Sequence, residues 1–502
     1  MKPYARLLIP MTVAMTVTIG CDGEDDTSAV EDTGSIDDVD PDEAEDSDGE
    51  EADPDEETEN DEDLEALVGL TLQLAENPNS TLAAIATVGA NLEVPVTIQL
   101  WSEGIPVLEM PWADSDDAHT LDVVGMRAET TYQMAAVAIV DGQPVRSAVV
   151  EWTAGALPDD LAPITLAQPA SDGANRLTLF GPNNTETPYL IGVDRDGEVV
   201  WYYDPGDLED EGNDRNVEQL DDGNVLMLVG QEARIITAGG ETVRSMDLST
   251  VSGVTSSAHH DAEVMPNGNW LFLTQETVEM TVPPWEDPVD VKGDILIEVD
   301  ESGAVVWEWS SFEQLDTDRW PTELSTSMSR GNADWTHANA VFYDETSDRV
   351  LVSLRHQDWV IAIDHDTGQI AWALGEDGDF TLDQDGEWFT AQHAATLIDG
   401  EVLLYDNGNE KDDPISRAVT YAIDESSWTA EQTWSWSAEL YTQNLGDADR
   451  LDNGNVLVCA GGRRTDADAR IAEVNAAGAV VWEVQVGDEH WVYRAERVDW
   501  VQ

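Results

Sequence analysis

The chain has 502 residues, enough for several domains and a large core, and its 41% hydrophobic content with 19 Trp is typical of a globular protein. It carries 105 acidic against 22 basic residues, a net charge of −83. This charge argues against nucleic acid and anionic membrane surfaces as partners, because both are bound through Lys and Arg. It also indicates a saline or surface-exposed setting, where salt screens self-repulsion. Lysine occurs only at positions 2, 292 and 411, so a GxxxxGK[ST] phosphate loop is absent and a Lys nucleophile is not expected.

Residues 1–21 have the pattern of a bacterial secretion signal: a short charged start, an apolar run, and Gly20 before Cys21. The end resembles a lipobox, in which Cys21 becomes the acylated N-terminal residue and anchors the protein to a membrane. Thr18 stands where an aliphatic residue is usual, so ordinary cleavage or an uncleaved anchor are alternatives. We therefore expect an exported, membrane-anchored lipoprotein of the periplasm or cell surface. The second cysteine, Cys459, would then be unpaired and buried.

Two segments separate this signal from the main repeat region. Residues 22–63 contain many Asp and Glu and almost no hydrophobic residues, so we expect a disordered, self-repelling tether. Residues 64–160 contain at least five short runs of alternating hydrophobicity, among them VPVTIQLW and TTYQMAAVAIV. This pattern predicts a small β-sandwich of the fibronectin III or immunoglobulin-like type, serving as a spacer or docking module.

Residues 161–502 repeat one phrase five times: a strand, a tight turn usually built on Asn-Gly or Asp-Gly, and a second strand. Examples are HDAEVMPNGNWLFLT and GDADRLDNGNVLVCAG, and most are followed by a second hairpin such as DILIEVDESGAVVWEWS. Two hairpins give four strands per repeat, which is typical of a propeller blade. The count predicts an all-β protein with a six-bladed β-propeller as its catalytic domain.

The ends of this region predict how the ring closes. The first blade, around 176–204, lacks its innermost strand, and the segment YRAERVDW at 493–500 has the pattern of that missing strand. Pairing the two ends would leave only short exposed strand edges. The Trp residues of the VVWxW phrases are expected to pack between blades.

Three histidines occupy the same place in successive repeats. His260, His337 and His393 lie at or just before the innermost strand, and such positions ring the mouth of a propeller channel. Arg355 ends the strand that follows His337, so antiparallel pairing would bring these two side chains together. Histidine can serve as a nucleophile or as an acid and base near neutral pH, while Arg presents a rigid fork to an oxyanion. The set predicts a pocket for sulfate or phosphate esters.

A zinc site is the alternative, because three histidines can hold zinc with one open position. An adjacent Arg would repel the cation, although Asp261 and Asp406 could serve as outer-shell carboxylates. We expect no metal and no cofactor.

Two other histidines, His259 and His356, lie next to residues of this predicted channel set. His259 could replace His260 in the channel if the strand slipped by one residue. His356 is expected on the opposite strand face, in a structural role.

The phrases HDAEVMPNGN, DWTHANAVFYD with SLRHQDWVIAID, and TAQHAATL with LLYDNGN resemble the bacterial arylsulfate sulfotransferases. The resemblance spans about 65–502 and is strongest over 259–409. It implies a periplasmic six-bladed propeller with a smaller β-rich N-terminal domain. By this likeness His393 is the nucleophile and forms a transient sulfohistidine, and Arg355, His337 and His260 bind the sulfate oxygens, with a histidine protonating the leaving phenolate.

The implied reaction moves a sulfuryl group from a phenolic sulfate ester to a phenolic acceptor without a nucleotide donor. Its partners would be small aryl sulfates and phenols. A non-catalytic propeller of the cell envelope, displaying a binding surface, is the alternative function. A quinone-dependent dehydrogenase propeller would need more blades and a vicinal disulfide or a Trp-docking repeat, which the sequence lacks. The sequence leaves the oligomeric state and the physiological substrates open.

Overall fold

The computed structural model of the chain describes residues 64–171, 175–185, 187–206, 216–282, 287–320, 328–329, 332–411, 414–462 and 467–502. The predicted signal segment, the lipidation at Cys21 and the acidic tether lie outside these residues. In the described part, every helix is too short or too polar to span a bilayer.

The N-terminal module begins with a helical turn at 64–68 and continues with seven strands. These strands are β1 (Thr71–Glu76), β2 (Ala84–Ser102), β3 (Ile105–Glu109), β4 (Ala113–Val123), β5 (Thr131–Val140), β6 (Gln143–Arg146) and β7 (Val150–Thr153). The 19-residue β2 connects them, because its first half pairs mainly with β1 and β4 and its second half with β3 and β5. The predicted all-β class is confirmed for this module.

Six further sheets form the blades of a propeller, as predicted, and the innermost strand comes first in blades 2 to 6. Blades 1 and 2 contain β9 (Leu177–Asn183), β10 (Leu190–Asp194), β11 (Val199–Tyr203), β12 (Asn216–Gln219), β13 (Val225–Val229), β14 (Glu232–Ile236) and β15 (Thr242–Asp247). Blades 3 and 4 contain β16 (Ala262–Val264), β17 (Trp270–Met280), β18 (Val289–Val299), β19 (Val305–Ser310), β20 (Met328–Ser329), β21 (Asn332–Asp334), β22 (Ala338–Asp344), β23 (Arg349–Leu354), β24 (Trp359–Asp364) and β25 (Ile370–Leu374).

Blades 5 and 6 follow the same plan, each with one added outer strand. They contain β26 (Thr381–Leu382), β27 (His393–Ile398), β28 (Glu401–Asp406), β29 (Arg417–Asp424), β30 (Thr429–Trp436), β31 (Asp447–Arg450), β32 (Val456–Ala460), β33 (Ala469–Val474) and β34 (Val480–Val486). The linker strand β8 (Ile164–Gln168) pairs with β34 at the outer edge of blade 6. Short helical turns occur at Leu248–Thr250, Ser311–Gln314 and Arg355–Gln357.

The ring closes through the last strand of the chain. Strand β35 (Trp491–Val498) pairs antiparallel with β9 and becomes the innermost strand of blade 1. This confirms the closure predicted from the segment at 493–500. Beyond β35, Gln502 exchanges two backbone hydrogen bonds with Glu109 of the N-terminal module, so this module also holds the closing segment.

The propeller core lies between neighbouring blades. One cluster joins Leu273 and Leu296 of blade 3 to Val352 and Ile361 of blade 4, all of them buried. Strands that alternate inward and outward side chains can build such a core on both faces of each sheet. The tryptophans of the VVWxW phrases also bridge blades, as expected, through indole N–H donors. Their bonds are Trp201 to Ala238 O, Trp307 to His365 O, Trp372 to Glu425 Oε1 and Trp482 to Arg195 O.

Candidate active site

The predicted histidines lie where three innermost strands begin. His393 is the first residue of β27, His337 directly precedes β22, and His260 lies two residues before β16. His260 and His337 have φ angles of 59° and 50°, a left-handed conformation that side chains beyond glycine rarely adopt. Each such residue costs about 1–3 kcal/mol unless its surroundings hold it there, and such positions cluster at functional sites.

Tyr493 of β35 lies between two of these histidines. Its ring centroid is 5.9 Å from that of His260 and 6.3 Å from that of His393, with edge-to-face geometry in both pairs. The His260 and His337 ring centroids are 5.1 Å apart. The Tyr493 hydroxyl donates to the carbonyl oxygen of Asn339, 3.1 Å away. The closing strand therefore helps to assemble the cluster.

His393 is held in one tautomer by Asn407. The side-chain nitrogen of Asn407 donates to the carbonyl oxygens of Thr442, at 2.7 Å, and Leu445, at 2.8 Å. This fixes the other amide atom as an oxygen, so the 2.6 Å contact with His393 Nδ1 requires a proton on Nδ1. Nε2 of His393 therefore carries the lone pair, which also accepts weakly from the backbone N–H of Leu445 at 3.4 Å.

Burial, followed by the charge of Arg355, lowers the pKa of His393 well below its usual range. His393 is thus neutral near pH 7. Arg355 opens the helical turn that follows β23, and its backbone N–H donates to His337 O at 3.2 Å. Its guanidinium donates to the carbonyl oxygen of Gln443 at 3.1 Å. The predicted proximity of His337 and Arg355 is confirmed, although both residues lie just outside the strands they were expected to begin and end.

His337 is oriented by Asp334, whose carboxylate lies 2.6 Å from Nδ1. Burial alone would raise the pKa of Asp334, but the neighbouring His337 lowers it strongly, so this carboxylate stays charged. The ring of His356 lies against that of His337, with centroids 4.5 Å apart, and its Nδ1 bonds to Asp334 O at 2.8 Å. The expectation that His356 faces away was wrong, because it lies in a helical turn where strand alternation no longer applies.

His260, and not His259, faces the other site histidines. Nδ1 of His260 lies 2.8 Å from Nδ1 of His259, whose Nε2 lies 3.2 Å from a carboxylate oxygen of Asp294. Burial, followed by the charges of His259, His337 and His393, lowers the pKa of His260 well below its usual range. The alternative register, with His259 in the channel, does not occur.

Arg494 is the site residue that the sequence reading missed. Its guanidinium donates to Asn216 Oδ1 at 3.0 Å, to Asp261 Oδ2 at 2.9 Å and to Asn339 O at 3.0 Å. One side chain from the closing strand thereby joins blades 2, 3 and 4 beside the histidines. The available signal was the register of β35, in which Tyr493 matches the repeat position of the histidines and Arg494 follows it.

A layer of carboxyl groups lies deeper in the channel, on the same faces of four innermost strands. Its members are Glu218, Glu263, Asp449 and Glu496, each two residues beyond Asn216, Asp261, Asp447 or Arg494. Burial, followed by the charge of Asp261, raises the pKa of Glu218 to about 7. Burial also raises the pKa of each of the other three well above its usual range. The channel therefore has two layers: the site layer of His260, His337, Arg355 and His393, and the carboxyl layer of Glu218, Glu263, Asp449 and Glu496.

The zinc alternative does not match the arrangement of the three ring histidines. In the part of the chain that the structure describes, the group with donor atoms within 4.8 Å of one another is Asp334, His337 and His356. The two suggested outer carboxylates hold cations of the protein: Asp261 bonds to Arg494, and Asp406 to Lys411 and Arg417.

Comparison with known proteins identifies the family of this chain. The sequence model of the family Arylsulfotransferase (ASST) matches residues 164–494, which include all four predicted site residues. The chain belongs to the arylsulfotransferase family. The cluster of His260, His337, Arg355 and His393 thus lies at the mouth of the propeller in a member of this family.

Two curated relatives are similar over part of their length. Arylsulfate sulfotransferase AssT of Escherichia coli O6:H1 is 24% identical over 334 residues, and that of Lelliottia amnigena is 23% identical over 327 residues. Each alignment covers 50% of this chain and 53% of the relative, so the chain spans about half the length of the curated relatives it matches. Among solved structures, a protein of unknown function from Bacteroides caccae is 15% identical, with a TM-score of 0.41, covering 65% of this chain and 99% of that one.

Proposed function

We propose that this arylsulfotransferase family member moves a sulfuryl group from a phenolic sulfate ester to a phenolic acceptor, through a covalent intermediate on His393 and without a nucleotide donor. The observation that carries the proposal is the state of His393. It is buried and neutral, its Nδ1 proton is bound to Asn407, and the charges of Arg355, His337 and Arg494 act on its ring.

In the first half-reaction, Nε2 of His393 forms a bond to sulfur while the bond between sulfur and the aryl oxygen breaks. The aryl oxygen leaves with a proton from a site histidine. Sulfuryl transfer, like phosphoryl transfer, has a loose transition state with charge on the equatorial oxygens, so positioning and electrostatic stabilisation supply most of the catalysis. Arg355, His337 and His260 would bind these oxygens.

In the second half-reaction, the acceptor phenol oxygen attacks sulfur and the nitrogen–sulfur bond breaks. The phenol proton returns to the site, and His393 regains its neutral form with Nδ1 protonated. The bond to Asn407 supports both steps, because it stabilises positive charge on the ring while nitrogen is bound to sulfur. Each step exchanges one bond to sulfur for another, so no oxidant or reductant is needed.

The test is release of p-nitrophenol from p-nitrophenyl sulfate by the purified chain, with and without added phenol. We expect phenol to accelerate the release and phenyl sulfate to form in equal amount. His393→Ala should reduce both by about 10³-fold or more, because it removes the nucleophile. His119→Ala is the matched control, since His119 is a buried histidine of β4 in the N-terminal module.

Undiminished transfer by His393→Ala would contradict the assigned nucleophile. A complete lack of transfer by the native chain with any phenol or salt concentration would favour the alternative of a non-catalytic binding propeller.

A further inference from the structure

The two adjacent histidines at the start of blade 3 form a line of contacts that ends at a carboxylate. Asp294 lies 3.2 Å from Nε2 of His259, and Nδ1 of His259 lies 2.8 Å from Nδ1 of His260. The two rings are perpendicular, with centroids 5.0 Å apart. His260 in turn lies 5.1 Å from His337, inside the site layer. The contacts thus lead from the site through two imidazole rings to the carboxylate of Asp294.

Asp294 is a firmly placed end to this line. Its other carboxylate oxygen accepts from the hydroxyl of Thr336 and from the backbone N–H of Ala338, both at 2.6 Å. The side chain is 5% exposed, so little solvent reaches it. Nε2 of His259 makes no aligned hydrogen bond to Asp294 at this 3.2 Å distance, but the carboxylate only accepts and so favours a proton on the nitrogen that faces it.

This arrangement leaves two proton states for the histidine pair. When His259 is neutral, its Nδ1 accepts from Nδ1–H of His260, and Nε2 of His260 carries a lone pair. When His259 holds a second proton, its Nδ1–H donates to His260 instead, and the His260 proton lies on Nε2. The extra proton then rests on His259 beside Asp294, while His260 presents a donor to the site.

We propose that His260 is the general acid and base of the sulfuryl transfer, and that His259 and Asp294 are positioning residues that store and return its proton. The inference rests on the proposed function and assigns the proton transfer within it. In the first half-reaction, the departing aryl oxygen takes the Nε2 proton of His260, whose Nδ1 takes the Nδ1 proton of His259. In the second, the acceptor phenol returns a proton to His260 Nε2, and the Nδ1 proton moves back to His259.

The surroundings of His260 explain why the proton would be stored one residue away. The groups that act on it from the neighbouring strands are His337, His393, Tyr493 and Arg494, and Arg494 is bonded to Asp261. Burial and these neighbouring charges lower the pKa of His260, so a proton on it is disfavoured in the empty site. His259 instead lies beside the Asp294 carboxylate, which favours a proton on it.

The experiment compares two donors, phenyl sulfate and p-nitrophenyl sulfate, whose leaving phenols differ in how much they need protonation. His259→Gln and Asp294→Asn should lower the rate of transfer from phenyl sulfate by about 10²-fold more than the rate from p-nitrophenyl sulfate. General acid catalysis contributes about 10²–10⁴-fold in rate, and a good leaving group such as p-nitrophenol needs little of it. His356→Gln is the matched control. It alters the histidine beside His337 and should slow both donors by similar factors.

A second measurement needs no variant. With phenyl sulfate, the rate of the native chain in mixtures of H₂O and D₂O should depend on deuterium fraction with the curvature of two moving protons. With p-nitrophenyl sulfate the dependence should be nearly linear and weak.

Equal slowing of both donors by His259→Gln and Asp294→Asn, or a linear dependence for phenyl sulfate, would overturn the relay while leaving the sulfotransferase proposal intact. A native chain that transfers sulfuryl from neither donor would instead contradict the proposed function itself.

Discussion

The site layer and the carboxyl layer both come from the innermost strands of the propeller, yet burial shifts the pKa values of their side chains in opposite directions. Burial lowers the pKa of His260 and His393, and it raises the pKa of Glu218 and its neighbours, so both layers lose charge near neutral pH. The arginine guanidinium groups keep their positive charge. A protein with a net charge of −83 can therefore hold an anion site, because the nearest buried groups determine the local electrostatic field.

Removing Arg494, whose guanidinium joins blades 2, 3 and 4 beside the site, should have the largest effect. Arg494→Met leaves Asp261 buried without its cation, and breaking such a buried pair costs about 3–5 kcal/mol. We expect a loss of this size in the free energy of unfolding, measured by urea denaturation. The double variant Arg494→Met with Asp261→Asn should recover a large part of it, because no charge is then left unpaired. A single variant as stable as the native chain would contradict this view of the junction.

Removing the cation of the site layer should come next. Arg355→Gln keeps a polar side chain but loses the charge that would bind the sulfate oxygens, and removing one such donor costs about 10²–10³-fold in rate. The measurement is kcat/KM for p-nitrophenyl sulfate. Arg349→Gln is a suitable control, because Arg349 lies at the other end of the same strand, β23, and pairs with Glu425. Equal effects of the two substitutions would contradict a specific role for Arg355.

The tautomer of His393 can be changed without changing its charge. Asn407→Leu removes the acceptor of the Nδ1 proton, so Nε2 would no longer be held as the lone-pair atom. We expect a loss of about 10²-fold in kcat, similar to the loss of a group that supports a catalytic residue. The cost should appear in kcat more than in KM, since Asn407 contacts the nucleophile. A change confined to KM would argue against this function of Asn407.

The smallest effect should appear in the carboxyl layer and should depend on pH. Glu218 has a pKa raised from 4.5 to about 7, so its buried neutral form is favoured by folding, and this stability is lost as pH rises from about 4.5 through 7. Glu218→Gln should therefore stabilise the fold at pH 8 by about 1 kcal/mol, less than the shift alone implies because solvent screens this partly exposed side chain, and change little at pH 4.5. Thermal unfolding at both pH values measures it, with the exposed Glu308→Gln as control. Equal shifts at both pH values would show that the carboxyl layer stays ionised.

The sequence revealed the propeller because each blade repeats the same two hairpins, and the closing strand because its pattern supplied the missing member of blade 1. It also revealed His260, His337 and His393, since a repeat register places equivalent residues at equivalent points of a ring. It could not reveal Arg494, Asn407 or the orientation of His356. These depend on contacts between blades and on helical turns, which have no fixed register in the sequence.

Trapping the covalent intermediate on His393 is the decisive experiment for the proposed sulfuryl transfer. The chain would be mixed with excess p-nitrophenyl sulfate in the absence of a phenol acceptor, quenched in base and digested for mass spectrometry. We predict a gain of one SO₃ group on the peptide that carries His393, and loss of this group when phenol is added. Rapid transfer to phenol with no such gain, or with the group on another residue, would contradict the account.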